Sequence, residues 1–190
     1  MPIIIIAAVI LVPVFLIGAW VAATYNRFVV LGKKRDEAWS GVLVQLKRRH
    51  DLVPNLVGVV QGYAAHEKHV LEEVAKMRSF GRTGGPREVL QSEREFTHSL
   101  SRLMAVVENY PELKADRNFR ELQNTLVRVE DDIQMSRRYY NGTVRDYNTM
   151  VATFPSMYVA RSFSFRESPF FELESPAEAD TPTVSFHPNA

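Results

Sequence analysis

The fold of this 190-residue chain follows from residues 39–77, which read WSGVLVQLKRRHDLVPNLVGVVQGYAAHEKHVLEEVAKM. Apolar side chains recur along this stretch at alternating steps of three and four residues. Such a heptad pattern is typical of a long amphipathic helix that buries one seam against its neighbours. The predicted seam consists of Trp39, Val42, Leu46, Arg49, Val53, Leu56, Val60, Tyr63, Glu67, Val70, Val74 and Met77.

Pro54 falls within this stretch without shifting the phase of the seam. A hairpin at this point is expected to reset the phase, so the sequence favours one continuous helix over two antiparallel segments. Because Pro54 lacks an N–H and its ring crowds the carbonyl of His50, the helix is expected to kink there.

Two more helices are predicted by the same spacing. A glycine-rich loop at residues 79–86 precedes the second helix, which Pro86 is expected to begin and Pro111 to stop. Residues 111–118 form the next connector, with Asp116 as the N-cap of a third helix that Pro155 ends. The second seam consists of Val89, Glu93, Phe96, Leu100, Leu103, Val107 and Tyr110. The third seam consists of Phe119, Leu122, Leu126, Val129, Ile133, Ser136, Tyr140, Thr143, Tyr147, Met150 and Phe154.

The stretch Ile3–Tyr25 is apolar and contains no charged residue. As a helix it would be about 35 Å long, enough to cross a hydrocarbon core of about 30 Å. A cleaved signal peptide is the alternative, since Val21-Ala22-Ala23 resembles a cleavage site. The apolar run is longer than a usual signal core and no Lys or Arg precedes it, which favours an uncleaved anchor.

Basic residues directly follow this stretch, and the positive-inside rule places them in the cytoplasm with the N-terminus outside. The same cations are expected to contact the membrane surface, either as lipid ligands or as topology signals alone. They are Arg27, Lys33, Lys34 and Arg35.

The sequence therefore predicts an all-α protein, with an N-terminal transmembrane helix followed by a long-helix antiparallel bundle of the four-helix type. Residues 1–26 are the anchor, 27–160 the bundle and 161–190 an aromatic, acidic tail. The aromatic side chains of the tail are expected to hold part of it against the bundle. Residues from Ser175 onward are expected to be flexible.

Composition excludes several classes of function. Lys and Arg number 23 and Asp and Glu 22, and this balance gives no basic excess for nucleic-acid binding. The absence of cysteine excludes disulfides, thiolate metal sites and a cysteine nucleophile. The chain contains neither a nucleotide-binding fingerprint nor the G-x-S-x-G motif of serine hydrolases.

Two partial metal motifs are present. The segment His66-Glu67-Lys68-His69 resembles the zinc-protease motif, but its histidines are three residues apart instead of four. Glu95 and His98 match one element of a di-iron site, yet the heptad frame places them on the outer helix face. Neither motif predicts a metal site, and no cofactor or catalytic residue is predicted.

Charged residues on the seams are more informative. Arg49, Glu67 and Glu93 are expected to be paired or near an open end of the bundle, because a buried unpaired charge is costly. They either set the helix register or line a polar pocket, and the first interpretation is favoured. The pairs Tyr140-Asn141 and Tyr147-Asn148 lie one heptad apart and are expected to hydrogen-bond facing helices.

Several of these segments together resemble the signature of the LemA family. They are RRHDLVPNLV at 48–57, GYAAHE at 62–67, ELQ at 121–123, EDDI at 130–133, RRYYN at 137–141, YN at 147–148, FP at 154–155, FFE at 170–172 and VSF at 184–186. The resemblance implies a bacterial inner-membrane protein with one N-terminal span and a four-helix bundle, and it brings no catalytic residues. The family-motif residues are Arg48, Arg49, Asp51, Pro54, Asn55, Glu67, Tyr140, Asn141, Tyr147, Asn148 and Pro155.

The function expected from these features is that of a membrane-anchored scaffold or adaptor without catalysis of its own. Its partners would be the lipid bilayer and unidentified membrane or cytoplasmic proteins, with homo-oligomerisation left open and nucleic acid excluded. The alternatives are an accessory subunit of a membrane-associated enzyme or protease system, or a weak hydrolase that uses the polar seam residues.

Overall fold

The computed structural model describes residues 2–63 and 86–171, and within these ranges it is helical without strands. The helices are α1 (Pro2–Tyr63), α2 (Pro86–Val107), α3 (Pro111–Ala115), α4 (Arg117–Ala152) and α5 (Ser156–Ser162). The predicted all-α class, with an apolar N-terminal helix leading into a bundle, is confirmed.

Helix α1 is 62 residues long and passes through Pro13 and Pro54 without interruption. The predicted continuity across Pro54 is therefore confirmed, while the kink stays a prediction. The same helix also joins the apolar N-terminal stretch to the bundle, so there is no linker between the two.

Contacts between side chains fix the direction of each helix. Phe28 meets Tyr147 near one end of the bundle, and Tyr63 meets Asp116 near the other, so α1 and α4 are antiparallel. Helix α2 runs parallel to α1, because its early residues share a core cluster with residues 42–46 and its late residues share one with residues 53–60.

The predicted seams form the core. Six consecutive seam positions of α1, from Val42 to Val60, are buried, as are five of the seven positions of α2. Phe119 begins the buried face of α4, and the side chain of Asp116 accepts a hydrogen bond from its backbone N–H at 2.9 Å. The predicted N-cap is thus confirmed.

Three predictions at helix ends are wrong. Tyr63 is largely exposed because its hydroxyl extends across the bundle end to Asp116, 3.3 Å away. Phe154 is exposed because α4 stops at Ala152, beyond which the heptad phase no longer applies. Pro111 begins α3 instead of stopping α2, which ends four residues earlier at Val107.

The chain after α5 turns back along the bundle. Ser164 adopts a positive φ of 60°, and Phe165 N–H donates to the Ala160 carbonyl at 2.9 Å while Ser164 N–H donates to Arg161. These bonds form a Schellman motif that closes the helix. Phe165 then stacks on Phe28 at 4.6 Å. The prediction that aromatic residues hold part of the tail against the bundle is confirmed for residues 163–171.

Other predictions lie outside the described residues. These are the seam positions Glu67, Val70, Val74 and Met77, most of the glycine-rich loop, the segment His66–His69 and the predicted flexibility from Ser175 onward.

The N-terminal part of α1 has no neighbour from the described chain. Its large apolar side chains, from Val9 to Ile17, are exposed. This helix is long and apolar enough to cross a membrane, with a mean hydropathy of 1.8 in its most apolar window.

Candidate functional site

A buried ion cluster joins the three long helices of the described chain. Arg49 on α1 donates to Glu93 on α2 and, at 2.8 Å, to Glu130 on α4. Arg49 and Glu93 are only 2% and 1% exposed. The expectation that these two seam charges are paired is confirmed. A pair this deep disfavours any arrangement that separates its members, since one buried charge left alone costs several kcal/mol.

Two aromatic rings enclose this cluster. His50 stacks on Phe96 with ring centroids 4.1 Å apart, and the Arg49 guanidinium lies over the same ring at 4.8 Å. His50 Nε2 lies 2.9 Å from Glu93 Oε1. Apart from this contact, neither atom has a hydrogen-bond partner among the described residues. The cluster thus combines a cation, two carboxylates and an imidazole, of which Arg49 and Glu93 are buried while the Glu130 side chain is 43% exposed.

The two asparagines of the Tyr-Asn pairs bind the backbone of the tail. Asn141 donates to the carbonyl of Phe171 at 3.1 Å and accepts from its N–H at 2.9 Å. Asn148 makes the same two bonds with Ser168, at 2.9 and 2.8 Å. Each amide side chain therefore satisfies both polar groups of one residue's backbone, as a neighbouring β-strand would. The predicted bonds to facing helices are wrong, because the partners belong to the tail.

Aromatic and basic side chains also bind the tail. Together with Asn141 and Asn148 they form what we name the tail clamp. Tyr140 donates its hydroxyl to the Pro169 carbonyl at 3.0 Å, and burial raises the pKa of that hydroxyl. Phe171 is fully buried against Trp39, with centroids 5.3 Å apart, and Arg137 lies over its ring at 5.7 Å. The buried face of α4 therefore includes Arg137, where the sequence placed Ser136 on the seam.

The predicted basic cluster divides into two groups. Arg27, Lys33 and Lys34 are exposed. Arg35 instead lies 4.9 Å above the Tyr147 ring and donates to Ser168, so it contributes to the tail clamp. Its role at the membrane surface stays a prediction alongside that of the other three.

The remaining motif residues lie on the surface or at element ends. Arg48 pairs with Asp132 at 3.3 Å, and Asp51 pairs with Lys47 one turn earlier. Pro54 and Asn55 are exposed on α1, and Pro155 is the N-cap residue of α5. Glu67 is outside the described residues.

Metal binding finds no support in the described part of the chain. Glu95 and His98 are both exposed, as predicted for the outer face of α2. Residues 2–63 and 86–171 contain no group of three potential ligands placed to hold a metal ion.

Comparison with known proteins agrees with this architecture. The model of the LemA family matches residues 38–186, which include the ion cluster and the tail clamp. The chain belongs to the LemA family. Similar LemA-type proteins include the magnetosome proteins MamQ 1 and MamQ 2 of Paramagnetospirillum magneticum, each 29% identical over 85% of this chain and 68% of theirs. The MamQ protein of Magnetospirillum gryphiswaldense is 27% identical over the same shares.

These LemA-family relatives and the exposed apolar stretch of α1 together support membrane association. Two parts of the candidate site were not predicted from the sequence. They are Glu130 as the second partner of Arg49, and the backbone of the tail as the partner of Asn141 and Asn148. The pairing of Arg49 with Glu130 could have been found from the heptad pattern, because Arg49 and the EDDI segment come to the same height when the first and third predicted helices are placed antiparallel. Nothing in the spacing indicates the second.

Proposed function

We propose that this LemA-family protein is a single-pass scaffold or adaptor of the bacterial inner membrane, with its N-terminus outside and its bundle in the cytoplasm. The observation that carries this proposal is the continuity of α1 from the apolar stretch into the core of the bundle. A helix without a linker transmits position and tilt between membrane and bundle, which suits a protein that holds partners at the bilayer.

The orientation rests on charge. Arg27, Lys33 and Lys34 follow the span and are exposed to solvent or lipid headgroups. Cations next to a span favour the cytoplasmic side, and each gains about 1 kcal/mol near anionic lipid.

A surface for a protein partner is available on α4. Val127, Met135 and Tyr139 are exposed on the face opposite the buried seam, and we name them the outer patch. Their spacing of eight and four residues places them along one side of the helix. The exposed Asp131 occupies the intervening position of this row, so the outer patch is a mixed surface of three apolar side chains and one carboxylate.

A photoreactive residue at Met135, in the full chain in native membranes, tests this surface. We expect one reproducible adduct that is lost when Tyr139 is replaced by Asp. A photoreactive residue at Glu95, on the exposed face of α2, is the matched control and should give none. The absence of an adduct at Met135, or an equal pattern at Glu95, would contradict the proposal. The mass of the adduct identifies a second copy or a different protein.

The hydrolase alternative has less support. Two of its candidate residues, Arg49 and Glu93, are buried, and the Arg49 guanidinium lies over the Phe96 ring. In this cluster only Glu130 is substantially exposed, and the burial of Arg49 and Glu93 favours a register-setting role for the pair.

A further inference from the structure

The connection between α4 and α5 exposes large aromatic side chains. Phe154 is 76% exposed and Tyr158 is 58% exposed, and their rings pack edge to face at 6.0 Å. We name residues 153–158 the elbow. A contiguous exposed apolar patch marks a protein or membrane interaction site, whereas a single exposed apolar residue needs no explanation, so the contact between these two rings is the informative feature.

The elbow lies at the level where α1 leaves the apolar stretch. Phe28 and Tyr147 are in contact and mark one level of the bundle. From Tyr147 the chain advances to Phe154, which takes it about 10 Å further toward the N-terminal end of α1 at 1.5 Å per residue. The same distance along α1 leads from Phe28 to residues 21–22.

A groove confirms this placement. It has a volume of about 640 Å³, and residues from α1 and from the elbow line it together. Trp20, Thr24 and Arg27 form the α1 side, and Thr153, Pro155 and Ser156 form the elbow side. Asp146 also contributes, so the groove is polar toward the bundle.

The side chains around the groove are of the types found at a membrane interface. Trp and Tyr favour the headgroup boundary; Trp20 lines the groove, and the exposed Tyr25 lies five residues further along α1. Arg27 has no ion-pair partner among the described residues and is available to lipid phosphate. Pro155 and Ser156 face α1 across the groove, so the elbow that carries Phe154 and Tyr158 lies beside the end of the apolar stretch.

We infer that the elbow is a second membrane contact, in which Phe154 and Tyr158 insert into the headgroup layer of the leaflet where the span ends. The inference rests on the proposed membrane anchoring and adds a contact that α1 does not provide. Two contacts on separate elements restrict the tilt and rotation of the bundle on the bilayer more than the interfacial residues of α1 do alone.

The absence of cysteine allows single-cysteine variants of the full chain to carry one fluorophore each. Phe154→Cys and Tyr158→Cys each report on the elbow while keeping the other aromatic ring. Tyr139→Cys is the matched control, an exposed aromatic position on α4 about 20 Å further from the span. Leu16→Cys reports on the span.

The labelled proteins are reconstituted into phosphatidylethanolamine–phosphatidylglycerol vesicles that contain lipids with a nitroxide at a shallow or a deep acyl position. We expect the shallow nitroxide to remove most of the fluorescence at 154 and 158 and little at 139, while the deep nitroxide quenches the label at 16. If 154 and 158 resemble 139 while 16 is quenched, the elbow contact is wrong and the anchor stands. If 16 is not quenched, the anchor fails, and the elbow inference fails with it.

Discussion

Asn141 and Phe171 form a two-bond pair in which one side-chain amide satisfies both the N–H and the carbonyl of the tail residue. The pair lies 30 residues apart in sequence and joins α4 to the last described residue of the chain. Together with the matching pair of Asn148 and Ser168, it makes the tail a structural part of the bundle.

Replacing Asn141 by Ala should release the end of the described tail. Two backbone groups lose their partners, and each unsatisfied group costs about 1–3 kcal/mol when buried, with water compensating at this half-buried site. We expect a loss of about 1–2 kcal/mol in unfolding free energy and faster hydrogen exchange of the Phe171 amide. Asn124→Ala, at an exposed position on the same helix, should change stability by under about 0.5 kcal/mol. Unchanged exchange at Phe171 would show that the clamp does not hold the tail in solution.

The tail clamp should also weaken at alkaline pH through Tyr140. Burial raises the pKa of its hydroxyl above the ordinary value of 10.0, with Asp36 adding to this effect and Arg35 opposing it. A raised pKa means that the folded state binds the proton more tightly, so the stabilisation is present below pH 10.0 and is lost as pH rises through the folded value.

Tyr140→Phe removes both the hydroxyl and its titration. At neutral pH we expect this variant to be less stable by about 1 kcal/mol, the usual contribution of one hydrogen bond. The difference between wild type and variant should shrink as pH rises above 10.0, which denaturant unfolding over a pH series measures. A difference that stays constant or grows would refute the assigned role.

Breaking the buried ion pair should be among the most damaging changes in the bundle. Arg49→Met leaves Glu93 buried without its cation, and we expect a loss of about 3–5 kcal/mol. The double variant Arg49→Met with Glu93→Leu should recover much of this loss, because it removes both charges. Arg48→Met, which removes an exposed pair one position away, should cost under about 1 kcal/mol. Thermal unfolding of the three variants decides whether the pair is as buried as described.

The proposed orientation, with the bundle in the cytoplasm, predicts the effect of neutralising the exposed cations that follow the span. Arg27, Lys33 and Lys34 are replaced together by Gln, and Arg35 is kept because it contacts the tail. A C-terminal reporter should then appear on the outside in a larger share of molecules. A wild-type reporter that is already entirely outside would reverse the proposed orientation.

The sequence predicts those parts of the fold that depend on repeating geometry. The spacing from Val42 to Val60 identified a buried seam and a helix that passes through Pro54, because an uninterrupted three- and four-residue spacing fits one continuous helix. Helix ends were predicted less well. Phe154 and Tyr63 lie where the helical repeat or the neighbouring helices stop, and periodicity contains no information about that point.

The candidate site shows the same division. An unpaired buried charge is destabilising by several kcal/mol, so the pairing of the seam residue Arg49 could be predicted from the sequence. The binding of the tail by Asn141 and Asn148 was not, because an amide on a helix face bonds equally well to a helix, a loop or an extended segment. Only the three-dimensional course of the chain after Ser164 selects the tail.

The central claim is that one continuous helix carries the bundle on the membrane span. Spin labels at Leu16→Cys and Val44→Cys, both exposed on α1, test it in the full chain in lipid vesicles. The two positions are 28 residues apart, so a continuous helix separates their Cα atoms by about 42 Å at 1.5 Å per residue. We expect a narrow distance distribution near that value from pulsed electron paramagnetic resonance. A broad distribution, or a distance near the roughly 8–10 Å of packed helices, would contradict the claim.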